Sequence, residues 1–505
     1  HWHIGNLLAD QGRLEDANER YRKALFLDPT FAEAELSLCL VLRQQGRLAE
    51  AIADMQALVE RRPQFAKGHL ALGTLLADQS RLDDASAALT RALALDPSLA
   101  ATHFALGNIL RARGDAASAM RCYRDAARLD PENAPARWAL AVTHLEPVYD
   151  SEKSRTEGRR AFADALGELD RWIGERRLAA AFAIVGAPPP FYLAYHDEAN
   201  RDLLQRHGRM CARIMAGRQP APTGRRDDPG RPIRVAVVSA HLYNHSVWNA
   251  LMKGWFQRHD AARFDLEAFH LGAEHDRETQ TARSLASHFE AGDGNFERVS
   301  AAIALRQPDV IFYPEIGMDS LTYKLASLRL APVQMTTWGH PETSGLPTVD
   351  YFVSAESLEP ENAAAHYSEK LVLLPHLGCS YPARQLPFAP PEFGGGGPAA
   401  SIPLLVCPGT PFKYEPRHDG ILLEIARRLG RCHFLFFTYR VPEISRRLEH
   451  RLRARFAADG LDAEAFLRFL PWQTPAQFRG LMSGATLFLD TLGFSGFNTA
   501  MEAVK

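Results

Sequence analysis

Four prolines, Pro29, Pro63, Pro97 and Pro131, stand 34 residues apart, and the sequence around them keeps the same step. Small residues recur at Ala17, Ala51, Ala85 and Ala119. Each is followed four positions later by a large one: Tyr21, Met55, Leu89 and Tyr123. Gly12, Gly46 and Gly114 mark a turn at that interval, with Ser80 in the third place. Gly5, Gly73 and Gly107 mark a close-packing position where Cys39 is the exception. Proline has no N–H to give and its ring clashes with the preceding turn, so it ends a helix. The small residues let two helices approach, and the large ones fill the space beside them. One such unit cannot bury its apolar face alone, so units stack into a superhelix with a concave surface.

Helix, turn, helix and proline on a 34-residue step is the tetratricopeptide pattern. Residues 1–145 are expected to hold four repeats and the start of a fifth near Trp138. Such an array binds a polypeptide and implies no chemistry. A net charge of −2 lacks the basic excess of a nucleic-acid binder. The longest apolar runs, such as Ile233 to Ala240, are too short to span a bilayer, so no membrane partner is expected. Cys39, Cys122, Cys211, Cys379, Cys407 and Cys432 are scattered without CxxC spacing, which suggests free thiols in a reducing cytosol and no zinc site. The chain begins at His1 inside a repeat and stops at Lys505 inside an expected helix, so further sequence downstream is expected.

Residues 146–230 read as a helical linker region. A helical stretch near Thr156 to Ile184 precedes Gly186-Ala-Pro-Pro-Pro190, then Phe191-Tyr-Leu-Ala-Tyr195 and a helix to about Met215. The charged, Pro/Gly-rich segment Gln219 to Arg231 reads as a linker. From there the pattern changes. Ile233 to Ser239, Phe264 to Leu271, Val310 to Tyr313, Val333 to Trp338 and Tyr351 to Ser354 read as buried strands. Helices are expected at Val247 to Arg258 and Arg277 to Phe289, with Val299 to Leu305 an apolar segment of either type. Alternation of this kind predicts a parallel sheet over residues 231–390. Leu386 to Ser401 is rich in proline and glycine and reads as an inter-lobe linker. A second series fills 400–505, with strands at Ile402 to Cys407, His433 to Thr438 and Leu487 to Asp490. Its helices are expected at Asp419 to Leu429, Pro442 to Ala458 and Pro475 to Ser483. Two such lobes make a cleft that takes ligands at the C-terminal ends of strands.

Four segments in this half carry chemistry. Leu489 to Glu502 runs from a strand end through a glycine loop, where Asn498 or Thr499 can cap a helix whose free N–H groups bind an anion. Glu502, one turn on, can accept ribose hydroxyls; a capped helix with a solvated glutamate reads the same. Lys413, just past a strand, can neutralise a diphosphate or be an ordinary surface lysine. His245 at the first strand's edge can serve as a general base or be structural. Trp338-Gly-His340-Pro341-Glu-Thr-Ser344-Gly345 can offer N–H groups to a sugar or phosphate, or be only a tight turn.

Taken together, these segments resemble the family of protein O-GlcNAc transferases and SPINDLY proteins, and the bacterial branch with tetratricopeptide repeats looks closest. The matching stretches are Val238 to Ser246, Leu328 to Gln334, Trp338 to Gly345, Asp350-Tyr351, His366 to Leu371, Phe412-Lys413 and Asn498 to Glu502, in family order. The resemblance implies an all-α superhelix followed by a GT-B fold, two Rossmann-like lobes, with the second lobe truncated. It implies a cytoplasmic, inverting enzyme that moves sugar from a UDP-sugar, GlcNAc first, onto protein Ser/Thr side chains without a metal or other cofactor. Lys413 should contact the diphosphate, Asn498 and Thr499 cradle it, and Glu502 bind ribose. His245 should face acceptor and donor sugar. His340, Pro341 and Thr410 complete the expected nucleotide-sugar contacts, and the repeats guide protein acceptors.

This chain departs from the family pattern in two places. The family usually places a glutamine where this chain has Thr410 or Gly409, and animal members have a histidine where it has Phe497. O-fucosyl transfer from GDP, glucosyl transfer onto Asn, and a repeat scaffold without catalysis are the alternatives. A sugar-nucleotide epimerase fits less well, having no need of a peptide-binding array.

Overall fold

A computed structural model describes all residues except 221–229, 293, 382–386, 394–401 and 505. The chain divides into two compact units, His1–Thr143 and His144–Lys505.

The first unit is a row of antiparallel helix pairs: Trp2–Asp10 with Leu14–Leu27, Ala32–Gln44 with Leu48–Arg61, Ala66–Asp78 with Leu82–Leu95, and Ala100–Ala112 with Ala116–Leu129. Ala134–Val142 packs on Ala116–Leu129 and ends the row. The small and large residues of the 34-residue step meet as their sizes require. A β-carbon on Gly5 would lie 2.5 Å from the Tyr21 ring, and one on Gly107 2.6 Å from the Tyr123 ring. The tyrosine hydroxyls donate to the corresponding asparagines, Tyr21 to Asn6 at 2.7 Å and Tyr123 to Asn108 at 2.9 Å. At the turns Gly12, Gly46 and Gly114 are left-handed, and Ser80 takes the same conformation at φ 61°.

The second unit opens with the helix Glu152–Ile173, started by a Ser151–Ser154 capping box. The helical stretch expected to run to Ile184 breaks at Gly174, whose φ is 46°, and resumes only as the short turns Leu178–Ala181 and Phe182–Ile184. Phe191–Tyr195 forms a 3-10 turn, and Arg201–Met215 a helix.

A seven-stranded, all-parallel sheet follows: β1 (Ile233–Ser239), β2 (Phe264–His270), β3 (His288–Ala291), β4 (Val310–Tyr313), β5 (Val333–Thr337), β6 (Tyr351–Ala355) and β7 (Lys370–Leu374). Its order is β3-β2-β1-β4-β5-β6-β7. Two local readings are corrected and one left open is resolved. The helix after β2 ends at Leu285, and His288–Ala291 is an edge strand. The ambiguous segment is a helix, Phe296–Arg306, because Phe296, Val299, Ser300 and Ile303 recur at helical spacing and are buried. The helix expected over Val247 to Arg258 starts as a π-helical turn, Val247–Met252.

The second sheet contains β8 (Leu404–Val406), β9 (His433–Phe437), β10 (Leu467–Leu470) and β11 (Leu487–Phe488), in the order β10-β9-β8-β11 and also parallel. Helices Asp419–Leu429 and Pro442–Ala458 cover one face, and Leu448, Leu452 and Phe456 pack there with Phe434 and Phe436. Parts of both expected linkers, 221–229, 386 and 394–401, lie outside the described residues.

The six cysteines are free thiols. No helix among the described residues is long and apolar enough to cross a membrane.

The strand orders place the ligand edges. In the first sheet the chain steps outward from β1 to β3, returns beside β1 as β4, and proceeds the other way. The reversal leaves a crevice at the C-terminal ends of β1 and β4, the topological switch point. In the second sheet the switch point lies between β8 and β11.

Candidate active site

Lys413 follows β8 at the end of the 3-10 turn Pro411–Lys413, and the loop Thr491–Gly496 follows β11. The two meet across the second switch point. A β-carbon on Gly496 would stand 3.2 Å from Lys413 Nζ and 3.1 Å from Thr499 Oγ1. The ammonium also lies 4.8 Å from the centre of the Phe494 ring. Burial pushes the Lys413 pKa down, opposed by Asp490. Asp490 holds the loop: its carboxylate accepts from Thr491 N at 2.8 Å, from the Ser495 hydroxyl, and from Gly496 N at 3.4 Å.

The helix that begins here is Phe497–Ala503, and its N-cap is Gly496. Asn498 and Thr499 are therefore the second and third helical residues and not caps, which corrects the sequence reading. Gly496 has no side chain to cap this helix, so its first N–H groups lack a cap partner at the point where the lysine approaches. Glu502 accepts from Arg479 Nε at 3.2 Å and from the Tyr381 hydroxyl at 3.3 Å. Thr410 Oγ1 is buried with no hydrogen-bond partner among the described residues.

Aromatic rings join the two sheets. Trp338, just past β5, lies 4.9 Å from Phe497. Phe191 stacks on His340 at 5.6 Å, while Tyr195 packs on Phe412 at 4.7 Å and on Phe494 at 4.6 Å. The Phe191–Tyr195 turn thus touches both lobes. His340 sits against Gly317, where a β-carbon would come within 2.6 Å of its ring, and burial pushes its pKa down to about 4. Pro341 is exposed beside it. The rest of that turn serves structure: Thr343 Oγ1 donates to Glu369 at 2.5 Å, and Ser344 donates to the same carboxylate through N–H at 2.8 Å and through its hydroxyl.

His245 lies in the loop after β1. Its Nδ1 accepts the Val247 N–H at 3.3 Å, and its ring is 4.3 Å from His241. Burial, then His241, pushes its pKa down to about 4, so it is neutral at pH 7. His241 Nδ1 lies 3.3 Å from Oε1 of the buried Glu315, which follows β4. Glu315 was missed in the sequence; the available signal was a carboxylate directly past a buried strand at the ligand edge. The backbone links this group to Trp338, since Gly339 N donates to Pro314 O at 3.1 Å.

Elsewhere Asp197, Glu415 and His418 come within metal-ligand span. Arginines occupy that cluster: Arg417 lies 3.2 Å from Glu415, and Arg155 3.6 Å from it, so it is an ion-pair knot between the helical segment and the second lobe.

Residues 4–66, 70–134 and 104–146 match the tetratricopeptide repeat model, and residues 191–379 match glycosyl transferase family 41. The probable UDP-N-acetylglucosamine–peptide N-acetylglucosaminyltransferase SPINDLY of Arabidopsis thaliana is 27% identical over 155 residues, 29% of this chain and 17% of that protein. The probable enzyme of the same type named SEC, from the same plant, is 27% identical over 154 residues, 30% of this chain and 16% of that protein. The match thus spans about a sixth of these curated relatives. A solved mutant O-GlcNAc transferase of Thermobaculum terrenum shares the fold, with a TM-score of 0.61 over 94% of this chain and 80% of that one at 22% identity. This chain thus joins helix pairs that match the tetratricopeptide repeat model to a parallel-sheet unit in which residues 191–379 match the glycosyl transferase family 41 model.

Proposed function

We propose that the protein transfers a sugar from a UDP-sugar, GlcNAc first, onto Ser/Thr side chains of a polypeptide bound by the repeats. The observation that carries this reading is the meeting of Lys413 with the helix start at Gly496. A glycosyl donor reacts only if the departing nucleoside diphosphate is stabilised. A half-buried ammonium beside free backbone N–H groups supplies that positive charge, and such preorganised groups are typically worth about 100- to 1000-fold in rate. With this charge in place the reaction needs no metal, and a single displacement inverts the anomeric centre.

In this reading Lys413 and the N–H groups at Asn498 and Thr499 hold the diphosphate, and Glu502 takes the ribose hydroxyls, shared with Arg479. The unpartnered Thr410 hydroxyl donates to the nucleotide where relatives use glutamine. His340 and Pro341 shape the donor side of the first lobe, and His245 faces the sugar and acceptor. The buried thiols of Cys39, Cys211, Cys407 and Cys432 suit a reducing cytoplasm.

Calorimetric titration of UDP and GDP into the protein tests the reading. UDP is expected to bind and GDP to bind more weakly. A preference for GDP points to fucosyl transfer, and no binding of either to folded protein leaves the repeats as the working part.

A further inference from the structure

We propose that His241, held by Glu315 across the first sheet's switch point, takes the proton from the acceptor hydroxyl, while His245 beside it serves as a hydrogen-bond donor. This rests on the glycosyltransferase reading above.

The two histidines are adjacent but have opposite partners. Glu315 is fully buried, and its carboxylate collects donors: Ser239 Oγ at 2.8 and 3.0 Å, Ala240 N at 2.8 Å and His241 Nδ1 at 3.3 Å. An ionised carboxylate accepts from all of these at once. Facing an ionised carboxylate, His241 carries its proton on Nδ1, which leaves the Nε2 lone pair as an acceptor. A carboxylate behind an imidazole fixes its tautomer and stabilises the imidazolium formed when the ring takes a proton. His241 also remains reachable, with 16% of its side chain exposed.

His245 has the reverse arrangement. Its Nδ1 accepts a backbone N–H, so the neutral ring carries its proton on Nε2. A ring in that state donates to a sugar or phosphate oxygen and has no free lone pair for the acceptor's proton. Glu315 after β4, Tyr243 and His245 on its own loop, and His270 at the end of β2 are the titratable groups around His241.

The step balances. The acceptor O–H bond breaks and its proton goes to His241 Nε2. The oxygen's electron pair forms the bond to the sugar's anomeric carbon. The bond from that carbon to the diphosphate oxygen breaks, and its electrons leave on the diphosphate beside Lys413.

The test uses the protein with UDP-GlcNAc as donor and a Ser/Thr peptide library as acceptor, and reads UDP release. His241→Ala is expected to lower kcat at least about 100-fold with little change in donor KM. Added imidazole is expected to restore part of that turnover, which a structural role would not allow. His245→Ala is expected to raise donor KM and to be indifferent to imidazole. Glu315→Gln, which keeps the volume and removes the charge, is expected to lower kcat about 10-fold with donor KM unchanged. His241→Gln guards against misfolding: it is expected to bind UDP by calorimetry and still lack turnover. Parental kcat in His241→Gln, or imidazole rescue of His245→Ala in place of His241→Ala, overturns the assignment. Failure of the parent itself to bind UDP strikes at the glycosyltransferase reading instead.

Discussion

Lys413 and Gly496 meet closely: a β-carbon on the glycine would stand 3.2 Å from the lysine's Nζ, tight enough that the ammonium must shift. Two loops that leave different strands, β8 and β11, are thereby brought to one point at the start of a helix. Gly496→Ala is expected to push the ammonium away from the helix N–H groups and weaken UDP binding about 10-fold, equivalent to about 1.4 kcal/mol. Calorimetry on the variant checks this; unchanged affinity would separate the lysine from the nucleotide.

Thr410 is expected to matter to the ligand and not to the fold. Its hydroxyl is buried without a hydrogen-bond partner among the described residues, so Thr410→Val loses no hydrogen bond to them. Thermal unfolding should show equal or higher stability, by up to about 1 kcal/mol. UDP affinity should fall several-fold. Lower stability with intact affinity would mean the hydroxyl is satisfied within the protein.

Ser80 holds a left-handed conformation, φ 61°, that glycine occupies at the equivalent turns. That conformation strains any residue with a β-carbon. Ser80→Gly is expected to stabilise the repeat array by up to about 1 kcal/mol, less the larger backbone entropy that glycine loses on folding. Denaturant unfolding of the variant measures it, and a loss of stability would contradict the reading.

Two buried histidines make the second unit sensitive to acid. Burial lowers the His196 pKa from 6.5 to about 3, and that of His207 from 6.5 to about 4. Both fold neutral, so the unfolded chain binds more protons as pH falls below 6.5, and stability is lost in that direction. Each should contribute about 2 kcal/mol of loss between pH 7 and pH 5. Amide exchange in Arg201–Met215, which carries His207, should show the fall, while His207→Phe should remove that histidine's share.

Much of this was legible in the sequence, for identifiable reasons. The repeats show because one spacing is copied along the chain. Asp419–Leu429, Pro442–Ala458 and Pro475–Ser483 were read at their observed ends because charge or proline marks their starts and glycine or a polar break their finishes. The strands β3, β7 and β10 were not read. They are short, and β3 and β7 lie at sheet edges with partly exposed residues, so no buried apolar run announces them. The placing of the last cap failed because Gly496, Asn498 and Thr499 all suit that position, and the choice is made by Asp490 holding the loop. Glu315 escaped because its partner His241 lies 74 residues away, a separation that no local spacing encodes.

The central claim is that Lys413 stabilises the departing diphosphate, and single-turnover transfer from UDP-GlcNAc tests it most directly. With saturating donor, Lys413→Ala is expected to transfer at least about 100-fold more slowly than the parent. Transfer at the parental rate would contradict the assignment and remove the lysine from the chemistry.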